Sequence, residues 1–220
     1  MLFAEDAVRS AAARELARWK TEEVFQVLLD AAARRATGGL LLALGEFQRP
    51  ESVPLLFEVL EDDLCRAEAM KSLRTMPGDT LHFSILAVRG QAAVSLDGPS
   101  ARCRQRATLQ LLSELDVRPD DWPDLARFLW VNDAATVVAA AEIGFRVAPE
   151  SEQGEIATAL LRIADKPGFV QEEEACRLLD THPEIARRIA AQIAREKIDA
   201  GEKPNWLSPA WRMLNRLLDR

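Results

Sequence analysis

Tyrosine is absent from this chain of 220 residues, histidine occurs twice and cysteine three times. Cys65, Cys103 and Cys176 form no Cys-x-x-Cys pair, and His82 and His182 lie far apart, so the residue patterns that hold zinc are missing. An odd number of thiols cannot all pair within one chain, which suits a reduced, cytoplasmic setting. Glycine (10) and proline (11) are sparse, which excludes collagen-like and low-complexity chains. No apolar run nears the roughly 18 residues of a membrane helix; Leu40–Leu44 and Val137–Ala141 are the longest. The opening Met-Leu-Phe-Ala-Glu-Asp lacks the basic start of a secretory signal, so none is expected. Basic residues (28) are outnumbered by acidic ones (35), giving a net charge of −7 and a pI near 5.1. That balance argues against a nucleic-acid partner gripped through its phosphates. Gly-x-Ser-x-Gly, P-loop and His-Glu-x-x-His spacings are also missing, and Gly38-Gly39 is an isolated pair. The expectation is a non-enzymatic protein with no catalytic residue, cofactor or metal.

What the chain does have is helical periodicity. Apolar residues recur at steps of three and four, as amphipathic helices require. One such stripe is Val8, Ala12, Leu16 and Trp19; another is Val53, Leu56, Phe57 and Leu60. Pro54, Pro123 and Pro183 each follow a capping residue, at helix starts where a missing N–H costs little. The chain is all-α by this reading.

It also repeats. A residue, two spacers, Ala, three spacers and a large apolar residue recur as Arg66/Ala69/Leu73, Arg104/Ala107/Leu111 and Val138/Ala141/Phe145. Glu172/Ala175/Leu179 and Leu207/Ala210/Leu214 continue the series, and Thr37/Leu40/Leu44 begins it in weaker form. The last anchors fall 29 to 38 residues apart. A small residue followed one turn later by a large one lets two helices approach closely while filling the groove. An amphipathic partner helix precedes each copy, at about 22–35, 51–61, 80–90, 122–131, 152–165 and 183–197. A single pair cannot bury both faces, so six pairs would stack into a right-handed α-α superhelix of one domain, 1–220. Residues 1–20 form its capping helix and 21–220 its pairs. The last helix should turn Leu207, Trp211, Leu214 and Leu218 inward, with Arg212, Asn215, Arg216 and Asp219 outward. The longest spacing contains 89–100, read as an enlarged turn or as a projecting contact loop.

Residues 40–73 resemble the short bacterial HEAT repeat. The likeness rests on Ala43-Leu44-Gly45, then Pro50-Glu51-Ser52-Val53-Pro54-Leu55-Leu56, an acidic turn at Asp62-Asp63, and Arg66-x-x-Ala69-Met70-x-Ser72-Leu73. It is partial at 102–112. Tetratricopeptide repeats share the period, but their Trp, Leu-Gly and Tyr signature is missing. The iron-binding HEAT hydroxylases are excluded, because no His-Glu pair is present. The resemblance implies an α-solenoid that binds a protein partner on its concave surface.

Individual side chains are read in the same frame. His82 belongs to a largely apolar helix as a core or rim residue, and His182 caps a helix. Cys65 and Cys103 hold equivalent repeat positions and pack as small hydrophobes. Glu61-Asp62-Asp63 and Asp120-Asp121 complement helix starts, and Glu172-Glu173-Glu174 reads as a solvated helix start or as an acidic patch for a basic partner. Trp122 and Trp130 follow core spacing beside Leu125, Phe128 and Leu129, which predicts burial. Residues one before and two after each repeat Ala point outward. That places Glu68, Lys71, Arg106, Glu174, Arg177 and Arg212 on one concave ridge, with Gln110 nearby. Mixed charge along a groove suits a protein partner better than a membrane or nucleic acid. Three other functions stay open: a tetrapyrrole-handling protein like the bilin lyases, an acidic inhibitor of a basic toxin, and a HEAT-like alkylpurine DNA glycosylase.

Overall fold

The computed structural model describes residues 2–91, 99–166, 169–205 and 207–219. Every regular element among them is helical. The chain divides into two compact units, Met1–Leu115 and Asp116–Arg220.

The first unit holds α1 (Leu2–Ala17), α2 (Glu22–Arg34), α3 (Gly38–Phe47), α4 (Val53–Glu58), α5 (Arg66–Leu73), α6 (Pro77–Gln91) and α7 (Pro99–Glu114). Short 3₁₀ turns, Pro50–Ser52 and Val59–Glu61, extend α4 at both ends. Helices α1, α3 and α5 lie side by side, with α2 against α3 and α4 against α5. Glycine permits this closeness. A Cβ on Gly39 would stand 2.3 Å from Ser10 Cβ, and one on Gly45 would stand 2.5 Å from Ser72 Oγ. The serines also tie the helices, since Ser72 Oγ donates to the Leu41 carbonyl at 2.8 Å. Phe25 and Leu28 of α2, Leu40 and Leu44 of α3, and Ala13 and Ala17 of α1 form one apolar cluster. Leu41, Leu56, Phe57, Leu60, Ala69, Leu73, Ala107 and Leu111 belong to a second.

This contact corrects the expected stripe on α1. Val8 (70% exposed), Trp19 (71%), Ala12 and Leu16 face outward, while Ser10, Ala13 and Ala17 meet α3. The reason is the close approach: at backbone-to-backbone distance only small side chains fit, so α1 presents its small face to Gly39.

The second unit holds α8 (Trp122–Ala126), α9 (Ala134–Val147), α10 (Gln153–Ile163), α11 (Glu172–Asp180), α12 (Pro183–Asp199) and α13 (Pro209–Leu218). Helix α8 is flanked by 3₁₀ turns at Pro119–Asp121 and Arg127–Trp130, and α10 follows another at Glu150–Glu152. First helices α10 and α12 pack together, as do the second helices α9 with α11 and α11 with α13. Trp122 is buried over Gly144, whose Cβ would meet the indole at 2.5 Å, and its Nε1 donates to Glu152 at 2.6 Å. In α13, Trp211 and Leu214 are buried as expected. Leu207 (86% exposed) and Leu218 are not, because Pro209 starts the helix only after Leu207 and Leu218 occupies its fraying end.

The repeat register appears directly in the burial. Ala69, Ala107, Ala141, Ala175 and Ala210 are all buried, as are Leu44, Leu73, Leu111, Leu179 and Leu214. Pro54, Pro123 and Pro183 sit in first helical turns. The residues before them make no side-chain cap; Ser52 Oγ instead donates back to the Arg49 carbonyl at 2.7 Å. True side-chain caps occur at Thr21 and Asp133, each accepting from a backbone N–H of the first turn. Helix α6 runs on to Gln91, past the expected turn start at Arg89, and the rest of that turn, 92–98, lies outside the described residues.

Candidate functional site

The expected ridge residues all sit on second helices. On α5, Lys71 is exposed while Glu68 is half-buried, its Cγ 3.0 Å from where a Gly38 Cβ would be. On α7, Arg106 and Gln110 are exposed. Glu174 and Arg177 of α11 pair with each other, and Arg177 also reaches Glu142 of α9 at 3.3 Å. Arg212 of α13 forks onto Glu172 of α11, with Nε at 3.1 Å. Hydrogen bonds to Glu174 and to Glu172 push the Arg177 and Arg212 guanidiniums above their ordinary range.

The charges in the second unit thus form ties between neighbouring second helices. Asp180 and Arg216 add a third tie at 3.0 Å. The first unit has counterparts: Arg74 forks onto Glu114 at 2.6 and 2.7 Å, and Arg104 reaches Glu61 at 2.9 Å. Exposed pairs of this kind are screened by water and add little to stability. Their larger effect is to hold side chains of both signs in fixed positions along the surface.

Each unit also has a cleft. In the first, about 530 Å³ opens between the α1 N-terminal half and the turns before α3 and α5, lined by Asp6, Ser10, Arg35, Thr37, Asp62 and Cys65. Within it Asp6 accepts from Arg35 at 2.9 Å. Burial, followed by the charges of Asp62 and Glu68, pushes the Cys65 thiol up and keeps it protonated. In the second, about 200 Å³ opens between Leu129–Asn132 and the end of α10, lined by Trp130, Val131, Arg162, Ile163 and Lys166.

Trp130 corrects the sequence reading. It is 54% exposed, because the 3₁₀ turn Arg127–Trp130 rotates it off the face that buries Trp122, Leu125 and Phe128. Its spacing alone gave no sign of this, and Arg162 and Lys166 carried no signal at all. Trp122 lies in the core with its N–H bonded to Glu152, so its ring offers nothing to a flipped base. Trp206 lies outside the described residues. His82 is exposed rather than buried. His182 occupies the cap position of α12 without a side-chain cap bond, and its ring stacks on Phe145 at 4.4 Å. Cys65 and Cys176 are buried, Cys103 is half-buried, and all three are free thiols. Among the described residues no cluster of three His, Cys, Asp or Glu is placed to hold a metal ion. No described helix is long and apolar enough to cross a membrane. Comparison with family models, curated proteins and solved structures finds no match to this chain.

Proposed function

We propose that this chain is a HEAT-like helical-repeat scaffold. In this reading it is a cytoplasmic, non-enzymatic protein whose stacked pairs form one α-α superhelix with α1 as cap. It binds a protein partner along the second helices, through Glu68, Lys71, Arg106, Gln110, Glu174, Arg177 and Arg212.

The observation that supports this is the alternation on α5, α7, α11 and α13; on α9 the expected outward positions, Ala140 and Ile143, are buried instead, as is Leu109 on α7. The repeat Ala is buried, while Lys71, Arg106, Arg177 and Arg212 are exposed beside it. A row of ordered, mixed charges recognises a surface of complementary pattern and rejects uniform ones. The analogy from fold to binding role is an analogy of class, and its weight rests on that row.

A photo-crosslinking side chain placed at Lys71, Arg106 or Arg177 should capture one protein from the source lysate. The same probe at Glu58 or Arg187, exposed on first helices, should not. Capture from the first-helix positions alone would assign the binding surface to the opposite side. The charge reversals Arg106→Glu and Arg177→Glu should each weaken the purified complex about tenfold, roughly 1.4 kcal/mol.

A further inference from the structure

We infer that the turn edge of the second unit is a docking site for a peptide segment of a protein partner. The segment carries one large apolar side chain, seated beside Trp130, followed by carboxylates that meet Arg162 and Lys166. This goes beyond the ridge proposed above, because the surface is a different one and the partner's chemistry is stated.

The placement follows from the packing. Helix α10 touches both the Arg127–Trp130 turn and α12, and α11 touches both α9 and α13. First helices therefore form one layer and second helices another, and the turns joining them fall along a common edge. That edge exposes an apolar residue at three successive turns: Trp130, Val170 (81% exposed) and Leu207. Of the three, Trp130 lines the groove; a lone exposed apolar side chain needs no explanation, but one set into the wall of a groove offers a partner's side chain a seat. Tryptophan is also among the residue types most enriched where binding energy concentrates.

Size and charge narrow the occupant. A volume of about 200 Å³ is below the range of roughly 300–1,000 Å³ that small-molecule and cofactor sites occupy, and suits a single leucine-sized side chain. No carboxylate lines the groove, whereas Arg162 and Lys166 do. Arg162 is held only loosely, 3.7 Å from Glu196, and its side chain is more than half exposed. The neighbouring Asp165 is engaged by Lys197 at 2.9 Å. The groove's own wall thus carries two cations and no anion, beside Leu129, Val131 and Ile163. An acidic segment with an apolar anchor complements both features; a basic segment complements neither.

Isothermal titration calorimetry with synthetic octapeptides tests the proposal. The probe set carries Leu, Ile or Phe followed by Asp-Glu-Asp. One control set replaces the acids with Lys, and another replaces the anchor with Gly. The full chain should bind the apolar-acidic probes and neither control. Trp130→Ala and Lys166→Glu should each weaken binding about tenfold or more, while Trp130→Phe retains it. Trp130 is exposed, so an unchanged helical circular dichroism spectrum shows that the variants fold. Absence of heat up to millimolar peptide overturns the proposal, as does equal binding of the Lys set or binding indifferent to Trp130→Ala. Binding of a short thymidine strand in preference to every peptide also overturns it, in favour of base stacking. Arg106→Glu should leave peptide binding intact. Failure of the peptides with capture at the ridge intact would leave the scaffold reading standing and remove only this site.

Discussion

The two units are built on the same period, yet they bring their helices together by different means. In the first, the capping helix α1 meets α3 through Ser10 against Gly39, and the second helices α3 and α5 meet through Gly45 against Ser72, where the Ser72 and Thr75 hydroxyls donate to the Leu41 and Gly45 carbonyls. In the second, a first and a second helix meet through Trp122 laid over Gly144, and Val137, Ile143, Ile156 and Leu160 join the alanines in the core of α9 and α10. Their edges differ too, with the Asp6–Arg35 ion pair set in the cleft of one and two cations, Arg162 and Lys166, beside Trp130 in the groove of the other. The comparison teaches that the repeat fixes where helices lie, while the few non-repeating residues decide how closely they pack and what they display.

Glycine substitution should break this contrast most forcefully. Gly45→Ala places a Cβ 2.9 Å from Ser72 Cα, a backbone atom that cannot move alone, and should cost about 1–3 kcal/mol in urea denaturation. Gly154→Ala in the second unit meets nothing nearer than 3.9 Å and should stabilise by about 0.5–1 kcal/mol, through reduced chain entropy. Equal effects would mean that the two units are packed alike. Ala69→Leu and Ala141→Leu test what the units share, and each should lose about 1–3 kcal/mol through overpacking; a neutral result at either would show that the repeat register fails there. A smaller effect is expected from Glu152→Ala, which strips the buried Trp122 N–H of its acceptor and should cost about 1 kcal/mol. No counterpart of that bond exists among the described residues of the first unit's core.

Charge gives the subtlest separation, at opposite ends of the pH scale. Hydrogen bonds from Gln26 and Arg49 hold Glu22 below its ordinary 4.5, and Arg49 does the same to Glu51. A lowered carboxylate stabilises the fold above pH 4.5, and that support is lost as pH falls through its lowered value. Burial alone would lower Lys197, but its hydrogen bonds to Asp165 and Glu202 outweigh this and raise it above 10.5. That contribution is complete below 10.5 and fades as pH rises through the raised value. Arg49→Gln should therefore lower the melting temperature at neutral pH and converge with the parent in acid. Lys197→Met should also converge with it in strong alkali, where Lys197 loses its proton, while Arg49→Gln still differs there; a persisting Lys197→Met difference in strong alkali would sink the assignment.

Much of the architecture was legible in the residues themselves. The alanines at 69, 107, 141, 175 and 210 announced both the helices and their buried faces, because only a small side chain tolerates a close helix contact. From the same register, the outward direction of Lys71 and Arg177 could be read. Periodicity failed where it had to choose a neighbour. On α1 it located an apolar stripe but not that Gly39 would select the opposite, smaller face. At Trp130 it saw core spacing but not the tighter turn that swings the ring outward. The ion-pair ties were illegible for another reason. Arg74 and Glu114, or Glu172 and Arg212, lie 40 residues apart, and nothing local marks them as partners. The groove at Trp130 is likewise assembled from two helix pairs, so no single stretch of chain contains it.

The nine residues from Trp122 to Trp130 carry one further consequence. One indole is sealed in the core with its N–H bonded, while the other stands half in water. Their emission maxima should therefore separate, blue for Trp122 and red for Trp130, with Trp19 adding to the red. Acrylamide should quench the red component first, leaving the blue one to disappear only on unfolding. A single untagged sample thus carries two reporters, one that senses what touches its edge and one that senses whether its centre still holds.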